Sequence, residues 1–150
     1  MKRIIVLIIC VLFVFALNGC GKSIYPDLPE QAAAFETGSF IDTNDDDAGY
    51  VTIEYNGRTY MPYGTIGKTL HADDIDACIG YVITDNSTDT DTDTRLFTLV
   101  EDKEHNYLME HYVATTLMNQ PIFYRAVDTR GKTIKTSDFI ISLEYQYWIE

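Results

Sequence analysis

The sequence predicts a mainly β domain with a minor helical part: a small antiparallel sheet or partly open barrel carrying one or two short helices. Three observations lead there. Short stretches that alternate apolar and polar residues recur between turn signals, as half-buried strands do. The chain holds eleven Tyr, and those after residue 49 spread along these stretches, where an aromatic ring suits a pleated sheet face. Strand-like runs do not alternate with long amphipathic helices, so no βαβ rhythm is present and closure of an antiparallel sheet is the favoured solution.

The elements follow in order. Tyr50 to Tyr55 alternates as a strand, and Asn56-Gly57 is the strongest two-residue hairpin signal, because both residues tolerate positive φ. Arg58 to Tyr63 returns. The turn sets Tyr55 opposite Arg58, Ile53 opposite Tyr60 and Val51 opposite Pro62. That register predicts one apolar face, with Thr52, Glu54 and Thr59 on the other and Met61 as the exception. Pro62 lacks an N–H, so the second strand is expected to be an edge there or to end there. Tyr63 to Gly67 reads as a loop, and His71 to Asp76 as a helical turn with acids at its positive end. Cys78 to Thr84 is an apolar strand. Asp85 to Thr94 is a low-complexity Asp-Thr hairpin tip. Arg95–Val100, Tyr107–Val113 and Ile122–Val127 are further strands, separated by charged or polar turns. Ser137 to Leu143 reads either as a closing helix, with Ser137 as its N-cap, or as a last strand.

The first twenty residues are of another kind. Lys2 and Arg3 precede an apolar run from Ile4 to Leu17. That run has the length of a signal-peptide core and falls short of the roughly twenty residues a membrane span needs. Leu17-Asn18-Gly19-Cys20 resembles the lipobox of bacterial lipoproteins. The resemblance implies that Cys20 receives a diacylglycerol, that residues 1–19 are removed, and that the mature chain is held at the extracytoplasmic face of the cell membrane. Asn18 stands where Ala or Ser is commoner. The mature chain also resembles small, functionally uncharacterised lipoproteins of Gram-positive bacteria. Tyr55 to Pro62 resembles the hairpin opening of copper-amine-oxidase-N-terminal-like domains over eight residues, and no function is carried over from it.

The expected organisation is therefore a signal peptide at 1–19, a lipidated Cys20 with a flexible acidic tether to residue 49, and one β-rich domain over 50–150. The tether expectation rests on polarity, on Pro26 and Pro29, and on the Asp-rich stretch from Asp42 to Asp47. Without the leader the chain keeps nine Lys and Arg against 23 Asp and Glu, a net charge near −14. This argues against nucleic acid and against electrostatic adsorption to anionic lipid. Removal of Cys10 with the leader and acylation of Cys20 leave Cys78 alone, so stability has to come from packing rather than disulfides. Its apolar surroundings predict a buried structural thiol.

The residues offer little chemistry. His105 and His111, on one strand, would lie roughly 20 Å apart. Neither His-Glu-x-x-His nor a Cys-rich zinc pattern occurs, and no metal site or cofactor is expected. Asp42 to Asp46 opens like a calcium loop, but the sixth position is Asp47 and the twelfth Ile53. No Gly-x-Ser-x-Gly and no phosphate loop are present, and no catalytic residue is assigned. One local asymmetry stands out: Arg125, Arg130, Lys132 and Lys135 form a basic stretch in an acidic chain, a candidate contact for a partner or envelope polymer. The expected function is a membrane-anchored, non-catalytic binding module with a protein or cell-envelope ligand. A calcium-responsive surface module and a small envelope hydrolase are the alternatives.

Overall fold

The structure, a computed structural model, describes residues 23–41, 49–83, 92–114 and 120–142. The leader, Cys20, the Asp-rich stretch 42–48 and most of the Asp-Thr tract lie outside the described residues. Eight strands are present among those described: β1 (Ala33–Ile41), β2 (Gly49–Tyr55), β3 (Arg58–Ile66), β4 (Ile75–Ile83), β5 (Thr94–Leu99), β6 (Tyr107–Tyr112), β7 (Ile122–Ala126) and β8 (Ile140–Ser142). Their order in the sheet is β2-β1-β4-β5-β6-β7-β3-β8, and β2 also pairs with β3. That last pairing closes seven strands into a barrel, with β8 added outside the circuit. The mainly β, barrel-like class expected from the sequence is thus the class observed. Among the described residues helical structure is confined to two 3-10 turns, Ala72–Asp74 and Val127–Thr129.

The hairpin forms as its turn chemistry dictates. Asn56 and Gly57 have φ of 51° and 73°, and Tyr55 pairs with Arg58, Glu54 with Thr59 and Ile53 with Tyr60. Above Ile53 the strands part company. From Gly49 to Ile53, β2 pairs with β1, while β3 pairs with β7 along one side and with β8 at its far end. Val51 therefore lies opposite Ser39 and not Pro62, and it is 47% exposed. The apolar face expected of the hairpin holds at Ile53 and Tyr60, both fully buried, and at the half-buried Tyr55 packed beside them, but not at Val51. The strand does not end at Pro62 either. Pro62 falls between the stretch of β3 paired with β2, which stops at Tyr60, and the stretch paired with β8, which starts at Gly64. A register shift occurs at the same place. Beyond it, the expected loop over 63–67 is mostly strand. Gly64 is needed there, because a Cβ would lie 2.0 Å from the carbonyl oxygen of Ile141 on β8.

The segment expected to be an open tether is also corrected. Ala33–Ile41 is a strand, parallel to β4 at its start and antiparallel to β2 at its end. A single strand of this kind is not stable alone; its order comes from pairing with β4 and β2. At the other terminus, the alternatives left open for Ser137–Leu143 resolve to a turn followed by the three-residue strand β8. The helical turn expected near His71 is the 3-10 turn, whose His71 N–H donates to Asp74 Oδ2 at 2.7 Å.

Two apolar clusters divide the interior. The first contains Ile53, Tyr60, Val82, Leu96, Leu108, Tyr124 and Ala126, with Phe35, Tyr55 and Ile79 against it. It draws on all seven barrel strands and on nothing else, so it is the barrel's inside. The second contains Met61, Tyr63, Cys78, Phe97, Tyr107, Met109 and Phe123 from the outer face of β3–β7, and adds Leu70, Phe139 and Ile140 from outside the circuit. Met61 is thus core, on the outer cluster. A register shift between Cys78 and Gly80 explains how Cys78 and Val82, of equal parity on one strand, reach opposite clusters. Tyr25 and Leu28, near the described N-terminus, pack on the outer cluster.

Candidate functional site

The two ends of the barrel are built differently. At one end stand the hairpin tip, the 100–106 turn and the 3-10 turn after β7. Arg58 binds them together. Its Nε and Nη2 donate to Asp128 Oδ1 at 3.1 and 2.7 Å, its Nη1 to the carbonyls of Glu104 and His105, and its Nη2 also to Asn106 Oδ1. The guanidinium lies 5.8 Å from the ring centre of Tyr60. Tyr60, at 0% exposure, donates its phenol to the His105 carbonyl at 2.6 Å, and burial pushes that phenol up to about 12. His105 itself has φ of 50° and meets Tyr55 edge-on. This end is sealed by a hydrogen-bonded plug.

Strand directions place the starts of β2, β5 and β7 and the ends of β1, β4 and β6 at the other end. Alternation puts Val51, Glu110 and Ile122 on the same face as Ile53, Leu108 and Tyr124, which is the inward face. Yet Val51 is 47% and Ile122 37% exposed. Two inward-directed aliphatic side chains therefore reach solvent at this rim. Just below, Glu110 lies beside Ile122 on the neighbouring strand, and the buried Tyr124 donates its phenol to Glu110 Oε2 at 2.8 Å. Burial raises the Glu110 carboxyl above its ordinary range, and the bond from Tyr124 offsets part of that. A carboxyl so placed can donate or accept a hydrogen bond to a polar group held between apolar walls. Glu110 escaped the sequence reading. Its signal was available: on an alternating strand it shares a face with Leu108.

The basic stretch does not form a continuous surface. Arg125 is 5% exposed. Its Nε donates to Thr129 Oγ1 at 2.8 Å, and its Nη2 donates to the carbonyls of Thr129 and Lys132 at 2.8 and 3.1 Å. Its guanidinium lies 5.2 Å from the Tyr63 ring centre. Arg125 thus shapes the 126–132 turn from within and is withdrawn from any contact surface. Lys135 pairs with Glu101 at 2.9 Å. Arg130 and Lys132 are exposed and carry what is left of the candidate contact.

The remaining reactive side chains are taken up by packing. Cys78 is buried, with Sγ 3.7 Å from the Gly80 carbonyl, and burial pushes its thiol up. His111 lies under Tyr25, ring centres 4.3 Å apart, and burial lowers its basicity. Among the described residues no three of His, Cys, Asp and Glu gather as metal ligands. No described helix is long and apolar enough to cross a membrane. Compared with known proteins, the chain matches no family model, no curated protein and no solved structure.

Proposed function

We propose that this chain is an extracytoplasmic lipoprotein, held at the cell membrane through a lipid on Cys20, whose barrel binds a protein or cell-envelope ligand without transforming it. The anchor rests on the Leu17–Cys20 motif and the apolar run before it. The observation that carries the binding reading is the contrast between the barrel's ends. One is closed by Arg58 and Tyr60. The other exposes Ile122 beside Glu110, which the buried Tyr124 holds, and exposes Val51 on β2. Exposed aliphatic side chains next to one oriented polar group are the ordinary make-up of a recognition site.

Position-specific photo-crosslinking on intact cells tests this. A crosslinking side chain at Val51 or Ile122 is expected to trap one recurrent envelope component, and one at Asn56, on the sealed end, to trap none. Equal yields from both ends would refute the rim as the binding surface. Labelling concentrated at Arg130 and Lys132 would move the site to the residual basic surface.

A second reading, calcium response, is favoured by one feature of the topology. β1 and β4 are parallel neighbours, so the Asp-rich stretches that follow them both leave from the rim end. Calorimetry with calcium alone decides it. Saturable uptake at or below millimolar concentration supports it, and a flat titration removes it.

A further inference from the structure

We infer that the outer face of β5 and β6, on which Tyr25 docks, is turned toward the lipid bilayer, and that the domain rests against the membrane rather than standing away from it. The inference rests on the lipid anchor at Cys20 proposed above.

The sequence suggested a spacer running from Cys20 to residue 49. The structure shortens it from the far end. Tyr25 is docked on the barrel: its ring stacks on His111 at 4.3 Å and 25° and lies 5.5 Å from Phe97. Leu28 packs on the same outer cluster. The Tyr25 N–H donates to Ser23 Oγ at 3.1 Å, which turns the chain at the docking point. Burial raises the Tyr25 phenol, as expected of a ring held against apolar neighbours.

Only four residues, hence five Cα-to-Cα steps, then separate the lipidated Cys20 from a side chain fixed to the domain. At about 3.3–3.6 Å per residue they span at most roughly 18 Å when fully extended. If Tyr25 were free, the next fixed side chain would be Leu28, on the same outer cluster. Eight residue steps would then give a root-mean-square separation of about 16 Å and a full reach of about 26–29 Å. The docked ring is what makes the leash short. Ile24, the residue before it, is 38% exposed. A large apolar side chain between an anchored lipid and a docked ring is positioned to enter the headgroup region, where apolar burial adds to a lipid anchor. The partner of this face is the bilayer that carries the anchor. The chain's net negative charge makes zwitterionic lipid the favoured surface.

Neutron reflectometry tests this on the mature lipoprotein, extracted from bacterial membranes and inserted in a supported phosphatidylcholine bilayer. The native protein is expected to give a protein layer continuous with the headgroups. Tyr25→Ala should open a water-filled gap of up to about 10 Å while the far-ultraviolet circular dichroism stays that of the folded barrel. Tyr25→Phe should keep the layer closed, because the ring and not the hydroxyl makes the contact. A water gap beneath the native protein would overturn the inference. So would a Tyr25→Ala layer that stays in contact with the headgroups. If no protein layer is retained at all, the anchor reading fails, a result distinct from a retained layer with a gap.

Discussion

The phenol of Tyr124 donates to Glu110 across two neighbouring strands at 2.8 Å, inside the barrel and toward the end opposite Arg58. The pair ties the fold to the proposed site, because Glu110 is held in an environment that disfavours its charge. In the unfolded chain it ionises near 4.5, the ordinary value for a glutamate; in the folded barrel it keeps its proton to a higher pH. The folded state therefore binds more protons between those two points. The resulting stabilisation is full below pH 4.5 and is lost as pH rises through the folded value.

Glu110→Gln should abolish that slope. Above the native carboxyl's range it should leave the protein as stable as the parent or more so, by on the order of 1 kcal/mol, since an amide keeps a partner for Tyr124 without a buried charge. Urea unfolding at pH 4, 5.5 and 7 measures it. A substitution that destabilises equally at every pH would contradict the assignment.

His111 makes the opposite contribution. Burial holds its folded value below 6.5, so the unfolded chain binds the proton first as pH falls. The stability linked to neutral His111 is present above 6.5 and is lost as pH falls through the folded value. His111→Phe keeps the stack under Tyr25 and should flatten this segment of the pH–stability curve, which thermal unfolding between pH 5 and 7.5 would show.

Arg58 and Arg125 are structural cations, and neither should tolerate lysine. A lysine ammonium cannot reproduce a planar fork that reaches several acceptors at once. Arg125→Lys should cost about 2 kcal/mol by leaving buried carbonyls of the 126–132 turn poorly satisfied. Arg58→Lys should cost about 1 kcal/mol, less because Arg58 is partly exposed and its pairing with Asp128 is screened. Arg130→Ala and Lys132→Ala should stay within about 0.5 kcal/mol. Denaturant midpoints for the four variants give the ranking, and equal costs at all four positions would contradict it.

Gly64→Ala should detach β8. The added methyl meets the Ile141 carbonyl, so the three-residue strand must move away while the barrel circuit stays closed. Hydrogen exchange should speed up at Ile140–Ser142 and remain slow at Leu96–Leu99. Unchanged protection of β8 would contradict the packing described.

The legible parts of the fold were those with local causes. Asn56-Gly57 announced its hairpin because positive φ is a property of those two residues. The strands at β4 to β7 announced themselves by apolar alternation. β1 was hidden because nothing in its own residues demands a strand; two distant partners supply its order. Val51 was placed wrongly because the hairpin pattern cannot reveal that β3 exchanges β2 for β8 above Tyr60. Arg125 reads as a surface charge from its clustering along the chain, whereas its alternation with Phe123 puts it on the covered outer face, beside Tyr63. The docking of Tyr25 on His111 has no sequence signal, as it joins an irregular segment to a strand far along the chain. Of the candidate site, Glu110 is legible in principle and the exposure of Val51 and Ile122 is not, since that depends on how the barrel closes.

The central claim is the anchored address from which the rim and the membrane-facing side take their meaning. Intact-mass and fragment spectrometry of the protein extracted from bacterial membranes tests it most directly. The expected result is a chain that begins at Cys20 and carries a diacylglyceryl group on its sulfur, with Cys20→Ala leaving an unlipidated precursor. A native protein that retains residues 1–19, or that begins elsewhere with an unmodified Cys20 thiol, would contradict it.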